Sequence, residues 1–191
     1  MVKRILGVLF FKSSAYREIA KDPAATRQAA IIVAFSLLVE GFFNGFIIAD
    51  APPSAVRSSL SSGLTEGIAT IIAGFVTWVV AAWILAFVIK LFKGRTNTGE
   101  MLRIVGYVVA FGIFTVLGVL ALASPSLAGM PEIVTLAIGF LSLLGLIVGI
   151  VEVSGLTTAQ AFFASLITEF ITLAAAIGIT SLLLRVLKPG G

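Results

Sequence analysis

The stretch Ile68–Ile89 reads IATIIAGFVTWVVAAWILAFVI, twenty-two residues without a charge. At 1.5 Å per helical residue it reaches about 33 Å, enough for the roughly 30 Å hydrocarbon core of a bilayer. Its apolar residues do not alternate with polar ones and the run is about twice the length of a barrel strand, so a helix is expected. Four further runs of the same kind surround it: Ala29–Ile48, Ile104–Leu122, Val134–Val151 and Ala161–Leu184. The expected fold is therefore all-α, a polytopic membrane protein with a bundle of five transmembrane helices over residues 23–188. An amphipathic segment, residues 1–22, precedes the bundle.

Composition agrees on the solvent. Apolar residues make up 59% of the chain and charged residues 12%, against roughly 45–50% and about 25% in soluble domains. The chain has no cysteine and no histidine. That excludes disulfides, thiol nucleophiles, His/Cys metal sites and histidine-based triads. No nucleophile–base pair and no phosphate-binding glycine loop is recognisable, so no enzyme activity, cofactor, metal site or nucleic-acid partner is expected.

Lysine and arginine set the direction of threading, because cytoplasmic flanks hold their excess. With the N-terminus inside, Lys3, Arg4, Lys12, Arg17, Lys21, Arg27, Lys90, Lys93, Arg95 and Arg103 lie on that side, and Arg57, Arg185 and Lys188 lie opposite. Ten against three predicts a multi-pass protein of the cell membrane with a cytoplasmic N-terminus. Five spans then place the C-terminus outside, where Arg185 and Lys188 run against the rule.

The tail through Arg27 holds six basic and two acidic residues, and the remaining seven of each sign cancel. A secretory signal is disfavoured, since the apolar stretch Ile5–Phe11 is short and Lys12 interrupts it. The tail instead suits the bilayer interface. Phe10, Phe11, Tyr16 and Ile19 supply apolar contact, and Lys3, Arg4, Lys12, Arg17 and Lys21 meet anionic headgroups. The same charges also enforce topology.

Local punctuation places the helix starts. Asp22 before Pro23 suits an N-cap and first helical residue. Asn97 with Glu100, and Thr157 with Gln160, have the spacing of capping boxes. The stretch Asp50–Gly67 is rich in Ser, Pro and Gly and is expected to be a loop. The short uncharged stretch Ser124–Pro131 predicts that the third and fourth helices are antiparallel neighbours.

The order of these pieces resembles the Yip1 domain family in its short prokaryotic form. The resemblance rests on Phe10–Ile19 followed by Asp22-Pro23, on Thr98-Gly99-Glu100-Met101-Leu102-Arg103-Ile104-Val105-Gly106-Tyr107, and on Glu152-Val153-Ser154-Gly155-Leu156-Thr157. It implies five membrane helices, a cytoplasmic N-terminus, and a part in trafficking-like membrane organisation or scaffolding, with homo- or hetero-oligomers as partners. Eukaryotic relatives associate with small GTPases. This chain lacks their long soluble N-terminal region and has Ser154 and Gln160 where many members carry a histidine and a lysine, so a GTPase partner is not carried over.

Two carboxylates stand out. Glu40 and Glu169 fall about 16 Å and 12 Å along the first and last runs, where an ionised carboxylate costs roughly 2.5–3.5 kcal/mol. Ser36, Glu40 and Asn44 form one helical stripe, and Ser165, Glu169 and Thr172 another. If their helices are adjacent, the stripes meet as an intramembrane polar seam. Its plain role is neutral hydrogen-bonding glue, with at least one carboxyl protonated. Its sharper role is a proton or cation relay, the alternative function of a small transporter. Gly41 with Gly45, and Gly145 with Gly149, allow close approach between helices and point to a tight bundle.

Overall fold

The computed structural model describes residues 1–46, 53–115 and 130–187, and the side chains of all of these except 40–46, 53–67, 69, 70, 130, 131, 180 and 183–187. Seven α-helices run in order through them: α1 (Val2–Leu9), α2 (Ser13–Lys21), α3 (Ala25–Phe46), α4 (Pro53–Leu91), α5 (Thr98–Val108), α6 (Met130–Ser154) and α7 (Thr158–Leu187). A 3-10 segment, Val109–Phe114, continues α5. No strand occurs among the described residues.

Helix starts follow the expected chemistry. The Asp22 carboxylate accepts the Ala24 N–H at 2.9 Å, but α3 begins at Ala25, two residues beyond the Pro23 expected as its first residue, with Pro23 and Ala24 in a turn. Asn97 accepts the Glu100 N–H at 2.9 Å while Glu100 accepts the Asn97 N–H at 3.1 Å, a complete capping box. Thr157 and Gln160 repeat it at 3.3 and 3.1 Å before α7. Each box satisfies N–H groups that a helix start otherwise leaves unpaired.

The expected loop Asp50–Gly67 is mostly helix instead. From Pro53 onward it forms the first turns of α4, a helix of 39 residues. Proline at the first position has its φ preset for a helix and no N–H to lose. After it Ala55, Val56, Leu60 and Leu64 continue the helix, and of the usual breakers only Gly63 falls among them before Gly67. The Ser-rich composition overstated the turn tendency. The third run also departs from a plain α-helix. Val108 and Val109 are β-branched and Gly112 follows, all poor helix formers, and here the chain tightens into the 3-10 segment.

Three described helices are long and apolar enough to cross a membrane: Ile71–Leu91 of α4, Glu132–Ser154 of α6 and Thr158–Ile179 of α7. Ser13–Lys21 with Ala25–Val39 qualifies only as a broken pair, bent by 111°, which makes the count three or four where five was expected. Residues 116–122 of the expected third span, and residues 124–129 of the expected loop after it, lie outside the described residues.

Packing runs α3 on α4 and α5, α4 along α7, and α6 against α2, α5 and α7. The fully buried large side chains, among them Tyr16, Ile19, Leu85, Ile89, Met101, Ile104, Tyr107, Phe111 and Ile150, concentrate where α2, α4, α5 and α6 converge. Phe35, Trp83, Leu136, Phe140, Phe163 and Phe170 are instead exposed around the perimeter. Such an apolar periphery is stable only where the solvent is lipid or a partner covers it.

Gly145 and Gly149 are used within the chain. A Cβ on Gly149 would lie 2.6 Å from Ile104 Cγ2 and 3.0 Å from Tyr16 Cδ1, and one on Gly145 would lie 2.8 Å from Phe111 Cε2. The small-residue face of α6 is thus the seat for a tyrosine from α2 and for two residues of the α5 segment.

Candidate functional site

Polar side chains gather where α1, α2, α3 and α5 meet. Arg4 of α1 donates to Glu18 at 2.8 Å and to Gln28 at 3.3 Å, and pairs with Asp22 at 2.7 Å. Tyr107 of α5 donates to the same Gln28 oxygen. One turn earlier on α5, Arg103 donates to the Ala20 carbonyl and to Thr26 at 3.3 Å, leaving its buried Nε without a partner. One network therefore ties the N-terminal arm to the head of α3 and the face of α5. Arg4 is only 17% exposed, which is tolerable because two carboxylates neutralise it and every link is a hydrogen bond.

The charges are mutually tuned. Hydrogen bonding to Arg4, reinforced by the Ala24 N–H, holds the Asp22 carboxyl below the usual range. Bonding to Glu18 first, and then to Asp22, makes the Arg4 guanidinium still harder to deprotonate. Beside this network the buried Tyr16 hydroxyl donates to the Val8 carbonyl at 3.2 Å, which fastens α2 to α1.

Of the five expected headgroup ligands, Lys3, Lys12, Arg17 and Lys21 are exposed. Arg17 sits 3.4 Å from Glu152, a solvent-facing pair of small energetic weight. Arg4 faces inward in the network instead. Tyr16 and Ile19, expected at the lipid surface, are fully buried against the bundle, and Phe11 stacks on Phe111 with centroids 5.5 Å apart. Arg27, Lys90, Lys93 and Arg95 are exposed as well. A backbone bond from Arg95 N–H to the Ser154 carbonyl at 3.0 Å ties together the two loops at this end of the molecule.

Of the expected polar seam, the side chains of Ser36, Ser165, Glu169 and Thr172 are described. Ser36 lines a cavity of about 390 Å³ with Leu37, Thr77, Trp78 and Ala176. Glu169 lines a second, of about 450 Å³, with Ser142, Leu143, Leu146 and Leu166. Val105 and Val109 line both. Ser165 is buried and donates to the Ala161 carbonyl at 2.9 Å. The hydroxyls of Thr172 and its neighbour Thr168 are buried with no hydrogen-bond partner. Glu40 and Asn44 lie outside the described side chains. Helix α4 packs along α7 and against α3, and Ala176 of α7 reaches the cavity that Ser36 lines.

Gln28, Arg103 and Tyr107 were missed as site residues. A signal existed for two of them, since Arg103 and Tyr107 stand one helical turn apart at the head of an apolar run. Nothing in sequence spacing links Arg4 to Asp22 or Gln28.

These features define the class, a polytopic α-helical membrane protein whose N-terminal arm is locked into its bundle. The family model for the Yip1 domain matches residues 6–180, nearly the whole chain, and the protein belongs to the Yip1 domain family. No curated protein and no solved structure matches it.

Proposed function

We propose that this Yip1 domain protein is a non-enzymatic organiser of the cell membrane. It crosses the bilayer five times, with its N-terminus and both basic loops in the cytoplasm. Through that face it gathers anionic lipids and scaffolds neighbouring membrane proteins as homo- or hetero-oligomers. The observation that carries the proposal is the distribution of charge at one end. Arg4 and Arg103 are internally bonded, while Lys3, Lys12, Arg17, Lys21, Arg27, Lys90, Lys93 and Arg95 are exposed. Each cation near an anionic surface contributes about 1 kcal/mol. Replacing Lys3, Lys12 and Lys21 together with glutamine should reduce the anionic lipid that co-purifies with the protein from mixed-lipid membranes. Unchanged lipid content would refute the headgroup role. For the scaffold, crosslinking in native membranes should trap defined oligomers, and a protein that stays monomeric at every crosslinker concentration would count against it.

One observation favours a second function. Glu169 lines a cavity of about 450 Å³ together with Ser142, as a proton or cation relay would require. Reconstituted protein would then support a flux lost in Glu40→Gln or Glu169→Gln. An organiser gives no flux, and both variants fold, because glutamine still hydrogen-bonds.

A further inference from the structure

The arm's outer face has no use inside the bundle. Val2, Leu6 and Phe10 recur four residues apart and are 66%, 47% and 69% exposed, while Gly7 and Val8, on the other side of α1, are buried. Helix α1 folds back on α2 so closely that a Cβ on Gly7 would fall 2.5 Å from Ala15 Cβ. The hairpin they form, joined through Phe10-Phe11-Lys12, packs beside membrane-crossing segments. Phe11 stacks on Phe111, seven residues inside the apolar run that begins at Ile104, a depth of about 11 Å. Tyr16 rests on Gly145 and Gly149. Gly145 lies six residues inside the end of the run Val134–Val151, about 9 Å deep. Helix α2 meets α3 at 111°, so it lies across the span.

We propose that α1 and α2 form a re-entrant helical hairpin seated in one leaflet, with Val2, Leu6 and Phe10 of α1 against lipid acyl chains and the exposed Arg17, Glu18 and Lys21 of α2 at the headgroups. The polar network is what makes that depth tolerable. Arg4 enters with its charge matched by Glu18 and Asp22. Lys3 and Lys12, exposed beside the apolar face, reach back to the headgroups on flexible stems. The hairpin takes up area in one leaflet without crossing to the other, so the molecule is wider on that side. This inference rests on the chain being a membrane protein and is independent of scaffolding.

The absence of cysteine permits single labels without background. Nitroxides at Leu6→Cys and Phe10→Cys, in protein reconstituted into liposomes, would be probed by collision with oxygen and with a water-soluble nickel chelate. References are Phe170→Cys, on the exposed face of the crossing helix α7, and Thr157→Cys, in an exposed loop. The oxygen-to-nickel ratio at 6 and 10 should match that at 170 and exceed that at 157 several-fold. A label at Val2→Cys gives an independent reading should one variant fold poorly. A ratio like that of 157 would place the hairpin in water. Depressed collision with both reagents would mean that a second copy or another segment covers it. Either result overturns the proposal, whereas loss of oligomers alone would leave it standing.

Discussion

Two glycines of α6 illustrate how little room some residues have. Gly149 faces Ile104 and Tyr16 at distances a methyl group cannot occupy without displacement, whereas nothing lies within 4 Å of a Cβ on Gly139. Gly149→Ala should therefore destabilise the bundle by about 1–3 kcal/mol through overpacking. Gly139→Ala should be neutral, or stabilising by up to about 1 kcal/mol from helix preference. Thermal unfolding in detergent, followed by circular dichroism, compares them directly. Equal effects would show that α6 does not seat Tyr16. The spacing of Gly145 and Gly149 announced a close approach, but only the packed structure identifies the visitor as a tyrosine from α2.

Elements here are held by their ends as much as by their faces. The arm is fastened by Arg4 to Glu18, Asp22 and Gln28, with Arg103 facing Asp22 from α5. Because Asp22 has its pKa lowered in the folded state, its contribution is complete above the unfolded value of about 3.9. It is lost as pH falls through the lower folded value. Hydrogen exchange over residues 2–21 should therefore hold steady from neutral pH to about 4, after correction for intrinsic rates, and rise below. In Asp22→Asn the exchange should already be raised at neutral pH. Protection unaffected by either change would mean that apolar packing alone holds the arm. At the other fastening, Asn97→Ala should cost about 1 kcal/mol by removing the cap of α5, visible as a lowered unfolding midpoint.

For the whole molecule, the partition of polar groups between two cavities bears on what the chain can conduct. Ser36 and Glu169 line two cavities that share Val105 and Val109. Proton flux through reconstituted Glu169→Gln should be indistinguishable from that of the unaltered protein and from protein-free liposomes. A flux abolished by the substitution would favour the relay. Replacing Lys3, Lys12 and Lys21 should also make any effect of the protein on anionic membranes less sensitive to salt, because exposed charges act over a Debye length of about 10 Å at 0.1 M.

The all-helical class, the membrane solvent, the capping boxes at Asn97 and Thr157 and the onset of α3 after Asp22 were all legible in the chain. Each depends on hydropathy or on partners within a few residues, which sequence order preserves. The helical start of α4 was not, because serine-rich composition and a proline at the first helical position give opposite local signals. Nor were the burial of Tyr16 and Ile19 and the inward turn of Arg4. Those depend on which helix packs against which. An apolar helix in a bilayer has no preferred side until glycine seats, buried charges and neighbouring helices choose one, and that choice is made only in the tertiary structure.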